Sequence, residues 1–439
     1  MRTYEETLNY LYTQLPMFQR VGPVAFKKDL GNIVALLNYL GHPEQQFPSI
    51  HIAGTNGKGS VTHLVAAGLK ATGKKVGIYT SPHYVDFRER IKIGAECIRP
   101  ESVVAFVERI QEAMAEIKPS FFEITVAMAF QYFADQKVDI AVIETGLGGR
   151  LDSTNVLRPE LCIITNIGLD HQQFLGDTLP LIAGEKAGII KPNTPVVIGR
   201  KQAETWPVFT QKAATEGAPL FWSGDLVEVQ QLEERTHGSL WRWKTPEMDG
   251  WQEVALDLNG PFLAENLQTS LAALWQYAQL EPFDVSRALS GWQQVREGVL
   301  YLGRWHWWSK EPAILLDSAH NEDGLRVLFE RLPSIQYKEL HLVFGTVADK
   351  DPQAVFPYLP RAANYYFTQA AVPRAMPASQ LEDLAAEYGF FGQTDATVQA
   401  SFERARTSMG SNDLLLVCGS IFVVAEVLAI DPLVSSHPK

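Results

Sequence analysis

The sequence contains little cysteine and no long hydrophobic run, and both absences restrict its function. Its three cysteines are Cys97, Cys162 and Cys418, with no CxxC pair, which excludes a disulfide framework and a cysteine-based structural zinc site. No stretch approaches about 18 uncharged apolar residues, the length that a membrane helix needs. The first residues, MRTYEETLNYLY, are partly acidic and lack the apolar core of a signal peptide. We therefore expect a reducing, cytoplasmic compartment and no membrane attachment.

The sequence also contains fewer basic than acidic residues. The 439 residues include 38 Lys and Arg against 50 Asp and Glu, which gives a formal net charge of −12. The summed field would repel nucleic acid and anionic membranes, so we expect neither as a partner, and any phosphate must be bound by a local site. Hydrophobic residues make up 46% of the chain, which is typical of a folded globular protein, and the length predicts two or three domains.

Short apolar runs alternate with amphipathic segments, as in βαβ units around a mostly parallel sheet. The first series of predicted strands comprises 48–53, 75–80, 139–144, 161–166 and 194–199, with helices at 58–72, at 121–135 and ending near Ile190. A Trp-rich alternating stretch at 218–258 predicts antiparallel strands on a sheet edge. Helices follow at 264–278 and 284–292, and a second strand series comprises 313–317, 340–344, 365–368 and 414–418. The sequence therefore predicts an α/β protein with domains at 1–296 and 297–439.

A glycine-rich segment, GTNGKGS at 54–60, lies between a predicted strand and a predicted helix. Backbone N–H groups and the helix N-terminus can face an anion there, and Lys58 can reach the outer phosphates. The segment departs from GxxxxGK[ST], because Ile52 stands five residues before Gly57 and the hydroxyl residue follows Gly59, so a generic kinase or GTPase is disfavoured. The alternative is a flexible glycine turn with a solvated lysine. The flanking strand and helix favour phosphate binding.

Three side chains suited to a hard metal ion follow predicted strands, namely Ser81, Glu144 and His171. All three should lie at the carboxyl edge of one sheet, where open α/β sheets bind ligands. Magnesium on ATP needs such donors to neutralise phosphoryl charge. Each residue also has a simpler interpretation: Ser81 could cap a turn, Glu144 could pair with Arg150, and His171 could be a polar loop residue. Their joint placement favours a metal site.

Lys186, in GEKAGIIK at 184–191, allows two interpretations. As an ammonium it would be repelled by magnesium, whereas as a carbamate, formed with carbon dioxide, it would be an anionic oxygen ligand. The alternative is an ordinary ion pair with Glu185 or Asp177 on a helix, and the residue types alone favour that pair.

A further polar segment, DSAHN at 317–321, follows an apolar run in the second half of the chain. Its polar groups should therefore emerge at the carboxyl end of a strand. Arg304 lies a short loop upstream and could stabilise transition-state charge on phosphates. The alternative is a surface arginine.

Together these segments resemble the Mur ligase superfamily, and within it the folylpolyglutamate synthase/dihydrofolate synthase family. The resemblance spans most of the chain. It rests, in order, on GTNGKGS at 54–60, TSPH at 80–83, FRERI at 87–91, FFEITVAMAF at 121–130, ETGLGGRLDSTN at 144–155, TNIGLDH at 165–171, GEKAGIIK at 184–191, GR at 303–304, DSAHN at 317–321 and CGSIFVVAEV at 418–427.

The resemblance implies an N-terminal P-loop ATPase domain with a mostly parallel sheet plus a small antiparallel sheet, and a smaller C-terminal Rossmann-like ligase domain on the glutamate-binding side. It implies ATP contacts at Gly54, Thr55, Asn56, Gly57, Lys58, Gly59, Ser60, Asn266, Arg304, Asp317 and His320. It also implies two magnesium ions, one held by Ser81 and Glu144 and the other by Glu144, His171 and a carbamylated Lys186. For Lys186 the resemblance thus reverses the preference for an ion pair.

The implied reaction is ATP-dependent amide formation. A substrate carboxylate attacks the γ-phosphorus to give an acyl phosphate and ADP, and the amino group of L-glutamate then displaces phosphate. The acceptor is dihydropteroate, a reduced folate or both. Lys58, Glu144, His171, Lys186 and Arg304 would supply position and charge neutralisation, and no nucleophilic residue is required.

The resemblance places the pterin over Phe121 and Phe122 and the turn at Asp152 and Ser153. For the two phenylalanines the alternative is a place in the helix core. A monomer is expected from the resemblance alone.

Two positions depart from the family pattern. Leu263 stands where glutamine is expected, so one nucleotide contact is expected to be absent or replaced. Ser318 stands for glycine in the DSAHN segment, which requires a backbone conformation that a residue other than glycine can adopt.

Two other functions remain as alternatives. A cell-wall precursor ligase acting on a UDP-sugar peptide is disfavoured, because the phosphate loop begins at residue 54 and leaves little chain ahead of it for a UDP-binding domain. A nucleotide-switched binding protein that hydrolyses ATP without ligation would show ATP turnover that does not depend on a carboxylate and glutamate.

Overall fold

The computed structural model describes residues 2–15, 29–235, 238–348 and 350–430. The chain divides into two compact units. The first comprises Met1–His83 and Arg88–Tyr301, and the second comprises Tyr84–Phe87 and Leu302–Lys439. None of the helices in the described ranges is long and apolar enough to cross a membrane.

The first unit is built on an eight-stranded sheet. Its strands are β1 (Ser49–Ala53), β2 (Val76–Tyr79), β3 (Ile91–Ile93), β4 (Glu96–Cys97), β5 (Ile140–Glu144), β6 (Leu161–Ile164), β7 (Val196–Ile198) and β8 (Leu220–Trp222). They lie in the order β4-β3-β2-β5-β1-β6-β7-β8. The six strands from β2 to β8 in this order pair in parallel, whereas β3 and β4 pair antiparallel at one edge. The carboxyl ends of β2, β5, β1 and β6 therefore meet at one edge of the sheet.

Thirteen α-helices are described in the first unit. They are α1 (Tyr4–Gln14), α2 (Gly31–Leu40), α3 (Lys58–Ala71), α4 (Pro100–Arg109), α5 (Gln111–Ile117), α6 (Phe121–Asp135), α7 (Gln172–Leu175), α8 (Leu179–Ala187), α9 (Trp206–Glu216), α10 (Ser223–Leu226), α11 (Leu263–Leu280), α12 (Val285–Ser290) and α13 (Val295–Gly298). The start of α6 is set by a capping box, in which Ser120 and Glu123 each accept a hydrogen bond from the other's backbone N–H. The helix predicted to end near Ile190 is α8, which ends at Ala187 and continues to Ile190 as turns with i→i+3 hydrogen bonds.

Helices cover both faces of the large sheet. Alternate strand residues explain this, because Ile163 packs in one apolar cluster with α3 and α11, whereas Cys162 and Ile164 pack in another with α8 and α9. The central strands are therefore buried on both sides and consist of continuous apolar runs.

The Trp-rich stretch forms a separate antiparallel sheet. Its strands are β9 (Glu228–Arg235), β10 (Gly238–Lys244) and β11 (Gln252–Leu256), in the order β11-β10-β9. The prediction of antiparallel strands was correct, but their placement on the edge of another sheet was wrong. Trp241 and Trp243 on β10 are buried against α11 in the apolar cluster that also contains Leu267 and Leu271, so the sheet is held by side-chain packing on a helix.

The second unit contains a six-stranded sheet with five parallel strands. Its strands are β12 (His306–Lys310), β13 (Ala313–Leu316), β14 (Leu340–Phe344), β15 (Asn364–Phe367), β16 (Gly392–Thr394) and β17 (Leu414–Cys418). Their order is β12-β13-β17-β14-β15-β16, and only β12 is antiparallel to its neighbour. Its described helices are α14 (Glu322–Arg331), α15 (Ala378–Glu387), α16 (Val398–Ser408) and α17 (Ile421–Ala429). The predicted α/β fold class is confirmed.

Candidate active site

The phosphate loop connects β1 to α3, as the sequence predicts. Gly54 has φ of 151° and Gly57 has φ of 82°, conformations that glycine adopts without strain. A Cβ on Gly54 would lie 1.8 Å from Thr165 Oγ1, and one on Gly57 would lie 2.3 Å from Asn266 Oδ1. Both positions therefore require glycine, for the backbone angle and for the space. The contact at Gly57 also shows that Asn266, a predicted ATP contact on α11, lies directly against the loop.

The loop is held in place by the two residues that follow β6. The N–H groups of Thr55 and Asn56 donate to the backbone oxygen and to Oδ1 of Asn166, at 2.9 and 3.0 Å. Thr165 Oγ1 donates to the Asn56 carbonyl at 2.6 Å. Asn166 is in turn held by Glu265, which accepts from its Nδ2 at 3.2 Å. The sequence does not predict these supporting hydrogen bonds, although Thr165 and Asn166 lie in the TNIGLDH segment at 165–171.

Two lysines converge on one carbonyl of the loop. Lys58 Nζ donates to the Gly54 and Thr55 oxygens at 3.0 and 3.1 Å, and Lys186 Nζ donates to the same Gly54 oxygen at 2.8 Å. Lys186 is 4% exposed. Burial, and then the charge of Lys58, lower the pKa of the Lys186 amine to about 7.

Lys186 does not form the ion pair with Glu185 or Asp177 that the residue types alone favoured. Its amine donates to no carboxylate of the described residues, and Glu185 instead accepts from Arg150 at 2.8 Å. The ion pair between Arg150 and Glu185 also excludes the alternative that Glu144 pairs with Arg150.

Glu144 lies beside the first turn of α3. It ends β5, is 5% exposed, and its Oε2 accepts from the Ser81 N–H at 3.4 Å. The same oxygen lies 3.6 Å from the position that a Cβ on Gly59 would take. The structure thus brings Glu144, Ser81 and the phosphate loop together at the carboxyl edge of the sheet.

His171 lies in a left-handed conformation, with φ of 51°, just before α7. Its backbone N–H donates to Asp170 Oδ1 at 2.9 Å, and its Nε2 lies 3.9 Å from Asp170 Oδ2. The Asp170 charge also acts on the Lys186 amine. The loop that carries His171 therefore lies near Lys186.

The predicted pterin residues have different surroundings. Phe121 is 3% exposed and packs in the core with Tyr12, whereas Phe122 is half-buried with its ring over Gly146. Asp152 is buried, and its carboxylate accepts from Leu147 N–H at 2.8 Å and from Thr154 N–H at 3.0 Å. Burial raises the pKa of Asp152, and these hydrogen bonds oppose the shift. Asp152 thus caps the short helix that begins at Ser153.

In the second unit, Asp317 organises two loops. Its carboxylate accepts from the Trp305 N–H and from the Ala319 N–H, both at 2.8 Å. Burial raises its pKa, and the Arg304 charge opposes that shift, which places Arg304 near the carboxylate. His320 Nδ1 lies 2.9 Å from the Ser318 carbonyl oxygen.

The two departures from the family pattern have structural explanations. Ser318 is not among the residues with positive φ, and its hydroxyl binds the Gly303 carbonyl at 2.7 Å and the Tyr84 hydroxyl at 2.9 Å. Leu263 is 7% exposed in the apolar core, so its side chain offers no polar contact to a nucleotide.

The two units match two domain families of one enzyme class. The Mur ligase middle domain matches residues 52–274, and the Mur ligase glutamate ligase domain matches residues 303–421. A parallel sheet with a phosphate loop at its carboxyl edge, followed by a second α/β unit, is therefore the arrangement of a Mur ligase.

Similar proteins identify the family within the Mur ligases to which the chain belongs. The chain is 33% identical to the folylpolyglutamate synthase of Lacticaseibacillus casei, over 97% of each chain. It is 34% identical to the dihydrofolate synthase/folylpolyglutamate synthase of Bacillus subtilis, over 91% of this chain and 94% of the relative. A solved structure of the bifunctional enzyme from Yersinia pestis, complexed with AMPPNP and Mn ion, is similar with a TM-score of 0.83, 28% identity and 98% coverage of both chains. The chain belongs to the folylpolyglutamate synthase/dihydrofolate synthase family of Mur ligases.

Proposed function

We propose that this chain is an ATP-dependent ligase that adds L-glutamate to dihydropteroate, to the γ-carboxylate of reduced folates, or to both. The names of the L. casei and B. subtilis relatives support folate as the substrate class. The observation that carries the proposal is the phosphate loop with Glu144 and Lys186 beside it. We further propose that the enzyme acts as a monomer.

The proposed nucleotide contacts begin with the phosphate loop. In the first unit, the N–H groups of the first turn of α3 and the Lys58 ammonium would face the phosphates, and Asn266 lies against the loop. The Lys58 ammonium is held by loop carbonyls, which keeps it close to the place where phosphates would bind. We also propose Arg304, Asp317 and His320 as nucleotide contacts.

Two magnesium ions would be held by donors at the carboxyl edge of the sheet. Ser81 and Glu144 would hold one ion, and Glu144, His171 and the carbamate of Lys186 would hold the other. The buried Glu144 carboxylate beside the first turn of α3 fits such a role, because oxygen donors are what magnesium prefers. When bound, the ions would neutralise charge on the phosphates. The Mn ion in the Y. pestis structure supports the use of a divalent metal.

Carbamylation of Lys186 needs a neutral amine, because the nitrogen lone pair attacks carbon dioxide and one proton is released. A pKa of about 7 supplies that form near neutral pH. The burial of Lys186 and the lack of a carboxylate partner among the described residues also fit an anionic product beside Lys58. Labelling with ¹³C-bicarbonate should give a carbamate signal in NMR spectra that Lys186→Met lacks.

The reaction proceeds in two displacements. A carboxylate oxygen of the acceptor attacks the γ-phosphorus, the bond to the β,γ-bridging oxygen breaks, and ADP leaves. The amine of L-glutamate then attacks the acyl carbon, phosphate leaves with the electron pair of the C–O bond, and the amine proton passes to solvent. Lys58 and Arg304 would stabilise the charge that develops on the phosphoryl oxygens, so the protein supplies position and electrostatics.

The pterin would lie over the exposed face of Phe122, next to the turn at Asp152 and Ser153. The half-buried ring of Phe122 supports this, whereas Phe121 belongs to the core. Asp152 would contribute by fixing the turn, since its carboxylate already accepts backbone hydrogen bonds.

The test is ADP release by the purified protein with magnesium-ATP and L-glutamate, with products identified by mass. The acceptors are dihydropteroate, tetrahydrofolate, a UDP-muramyl peptide and none. Glutamyl products from both pterins would establish a bifunctional enzyme, and a product from one would assign the single activity. ADP release without a glutamyl product, or a product only from the muramyl peptide, would overturn the folate assignment.

A further inference from the structure

A buried lysine lies behind the phosphate loop, outside the predicted site. Lys92, on β3, is 1% exposed. Its Nζ lies 2.8 Å from His63 Nε2, 2.7 Å from the Val299 oxygen and 3.0 Å from the Leu300 oxygen. These three acceptors match the three protons of an ammonium group, so every donor of Lys92 is used.

The hydrogen bonds of Lys92 determine the tautomer of His63. An ammonium group can only donate, so His63 Nε2 accepts and the proton of the neutral ring is on Nδ1. That N–H donates to the Gly59 oxygen at 2.6 Å. Burial, and then the charge of Lys92, lower the pKa of His63, which keeps the ring neutral. A continuous chain of hydrogen bonds thus runs from Val299 and Leu300 through Lys92 and His63 to the first turn of α3.

A second contact joins the same two segments. The hydroxyl groups of Ser60 and Tyr301 lie 2.8 Å apart, and the Tyr301 ring packs edge-on against His63 with centroids 5.3 Å apart. Residues 299–301 are therefore bound to the turn at Gly59 and Ser60 through two adjacent positions. The chain passes into the second unit directly after Tyr301.

Stability alone does not account for Lys92. Taking an ammonium group out of water costs free energy, which its three hydrogen bonds must offset, so the net gain in stability from Lys92 is small. Lys92 instead fixes the geometry of its neighbours, because its three directional hydrogen bonds hold two carbonyls and one imidazole in a single arrangement.

We propose that Lys92 and His63 are positioning residues that couple the phosphate loop to residues 299–301, so that binding of nucleotide phosphates and the conformation of this segment depend on each other. The proposal rests on the proposed function in one respect, the assignment of residues 54–60 to ATP. It concerns nucleotide binding, and it can be tested without a folate substrate.

The first variant is Lys92→Met, with Lys70→Met as its control. Lys70 is exposed, and its Nζ donates to the Gly298 oxygen at 2.8 Å, so the control removes a lysine contact to the adjoining residue without touching the buried chain. Calorimetry gives the Kd of a non-hydrolysable ATP analogue with magnesium. Hydrogen exchange of the peptide that contains residues 299–301 is measured with and without the analogue.

In the wild type and in Lys70→Met, the analogue should slow exchange at residues 299–301. In Lys92→Met that protection should be lost and the Kd should rise about tenfold, a typical size for coupling between two sites. Glutamine at position 63 can donate to Gly59 and accept from Lys92, so His63→Gln should retain protection and affinity, whereas His63→Leu should lose both. A merely structural role would not separate these two variants once circular dichroism shows both folded.

The outcomes separate this proposal from the ligase assignment. If Lys92→Met and His63→Leu bind the analogue with wild-type Kd and show wild-type protection, the coupling is refuted, whatever the enzyme ligates. If Lys92→Met does not fold, the two His63 variants decide. If the wild type binds the analogue with coupled protection but yields no glutamyl product, only the proposed function fails. A wild type that does not bind the analogue would overturn both.

Discussion

Replacing Lys186 with methionine should flatten part of the pH dependence of the protein's stability. Burial, and then the charge of Lys58, lower the pKa of the Lys186 amine from 10.5 to about 7. Below pH 7 the folded and unfolded states both bind the proton, and the folded state bears the full cost of a buried ammonium group. Between pH 7 and 10.5 the unfolded state binds more protons, so stability rises with pH over this window. Methionine has no such proton.

The size of the effect follows from the two pKa values. Their separation corresponds to ~5 kcal/mol of unfolding free energy over the whole window and to ~1.4 kcal/mol per pH unit within it. Lys186 is 4% exposed, so screening by solvent reduces this little. Comparison with Lys186→Met cancels the titration of the other groups, including Lys92, which both proteins share.

The assay is urea unfolding followed by tryptophan fluorescence, at steps between about pH 7 and 9.5. Buffers are free of carbon dioxide and contain EDTA, because a carbamate would remove the titrating amine. The wild type should gain ~3 kcal/mol over Lys186→Met across this range. Lys70→Met, which removes an exposed lysine, should follow the wild type. Equal pH slopes for the wild type and Lys186→Met would refute the reasoning.

The loop, the metal site and the cysteines each allow a direct test. Gly57→Ala should weaken binding of an ATP analogue about tenfold in calorimetry, because φ of Gly57 is 82° and the new Cβ would lie 2.3 Å from Asn266 Oδ1. Unchanged affinity would contradict the assignment of residues 54–60 to phosphate binding. Glu144→Gln should reduce magnesium-dependent ADP release about 100-fold with folding retained by circular dichroism, and near-normal turnover would exclude Glu144 as a metal ligand. Cys97 should react fastest in an Ellman titration, because burial raises the pKa of Cys162 to about 12 and that of Cys418 well above its usual value. Equal reaction rates for the three thiols would contradict the burial of Cys162 and Cys418.

Secondary structure in the large sheet could be predicted because the signal is local. The helix predicted at 121–135 is observed as Phe121–Asp135, and the run at 139–144 is observed as Ile140–Glu144. Strands buried on both faces read as apolar runs, and their polar ends mark the edge where ligands bind. The position of Glu144 beside the phosphate loop follows from this rule alone.

The packing of the Trp-rich strands could not be predicted in the same way. Alternation of apolar and polar residues shows that one face of β10 is buried, but it does not say which partner covers that face. The partner is α11, whose Trp275 packs edge-on against Trp243 and lies more than thirty positions further along the chain. The local pattern therefore predicted the strands correctly but wrongly placed them on a sheet edge instead of against α11.

The support of the loop was missed for a related reason. Asn166, Lys92 and His63 are polar residues within or beside ordinary apolar patterns, and each acquires its role from a partner far away in sequence. Burial decides what such a residue does, because a buried donor must find an acceptor. Lys186 shows the same effect: its neighbours in sequence predicted an ion pair, whereas its bond goes to Gly54, 132 positions away.

The charge of the site explains how an acidic protein can bind ATP. The net charge is −12, yet Lys58 and Lys186 both bind the Gly54 oxygen, and Lys92 is buried behind the same loop. Burial, and then repulsion by the charge of Lys58, lower the pKa of Lys186. Phosphate binding would relieve the repulsion, and conversion of Lys186 to a carbamate would relieve it further by placing a negative charge next to Lys58. Nucleotide binding, carbamylation of Lys186 and proton release are therefore expected to be linked at the phosphate loop, because each of them changes the net charge around Lys58 and Lys186.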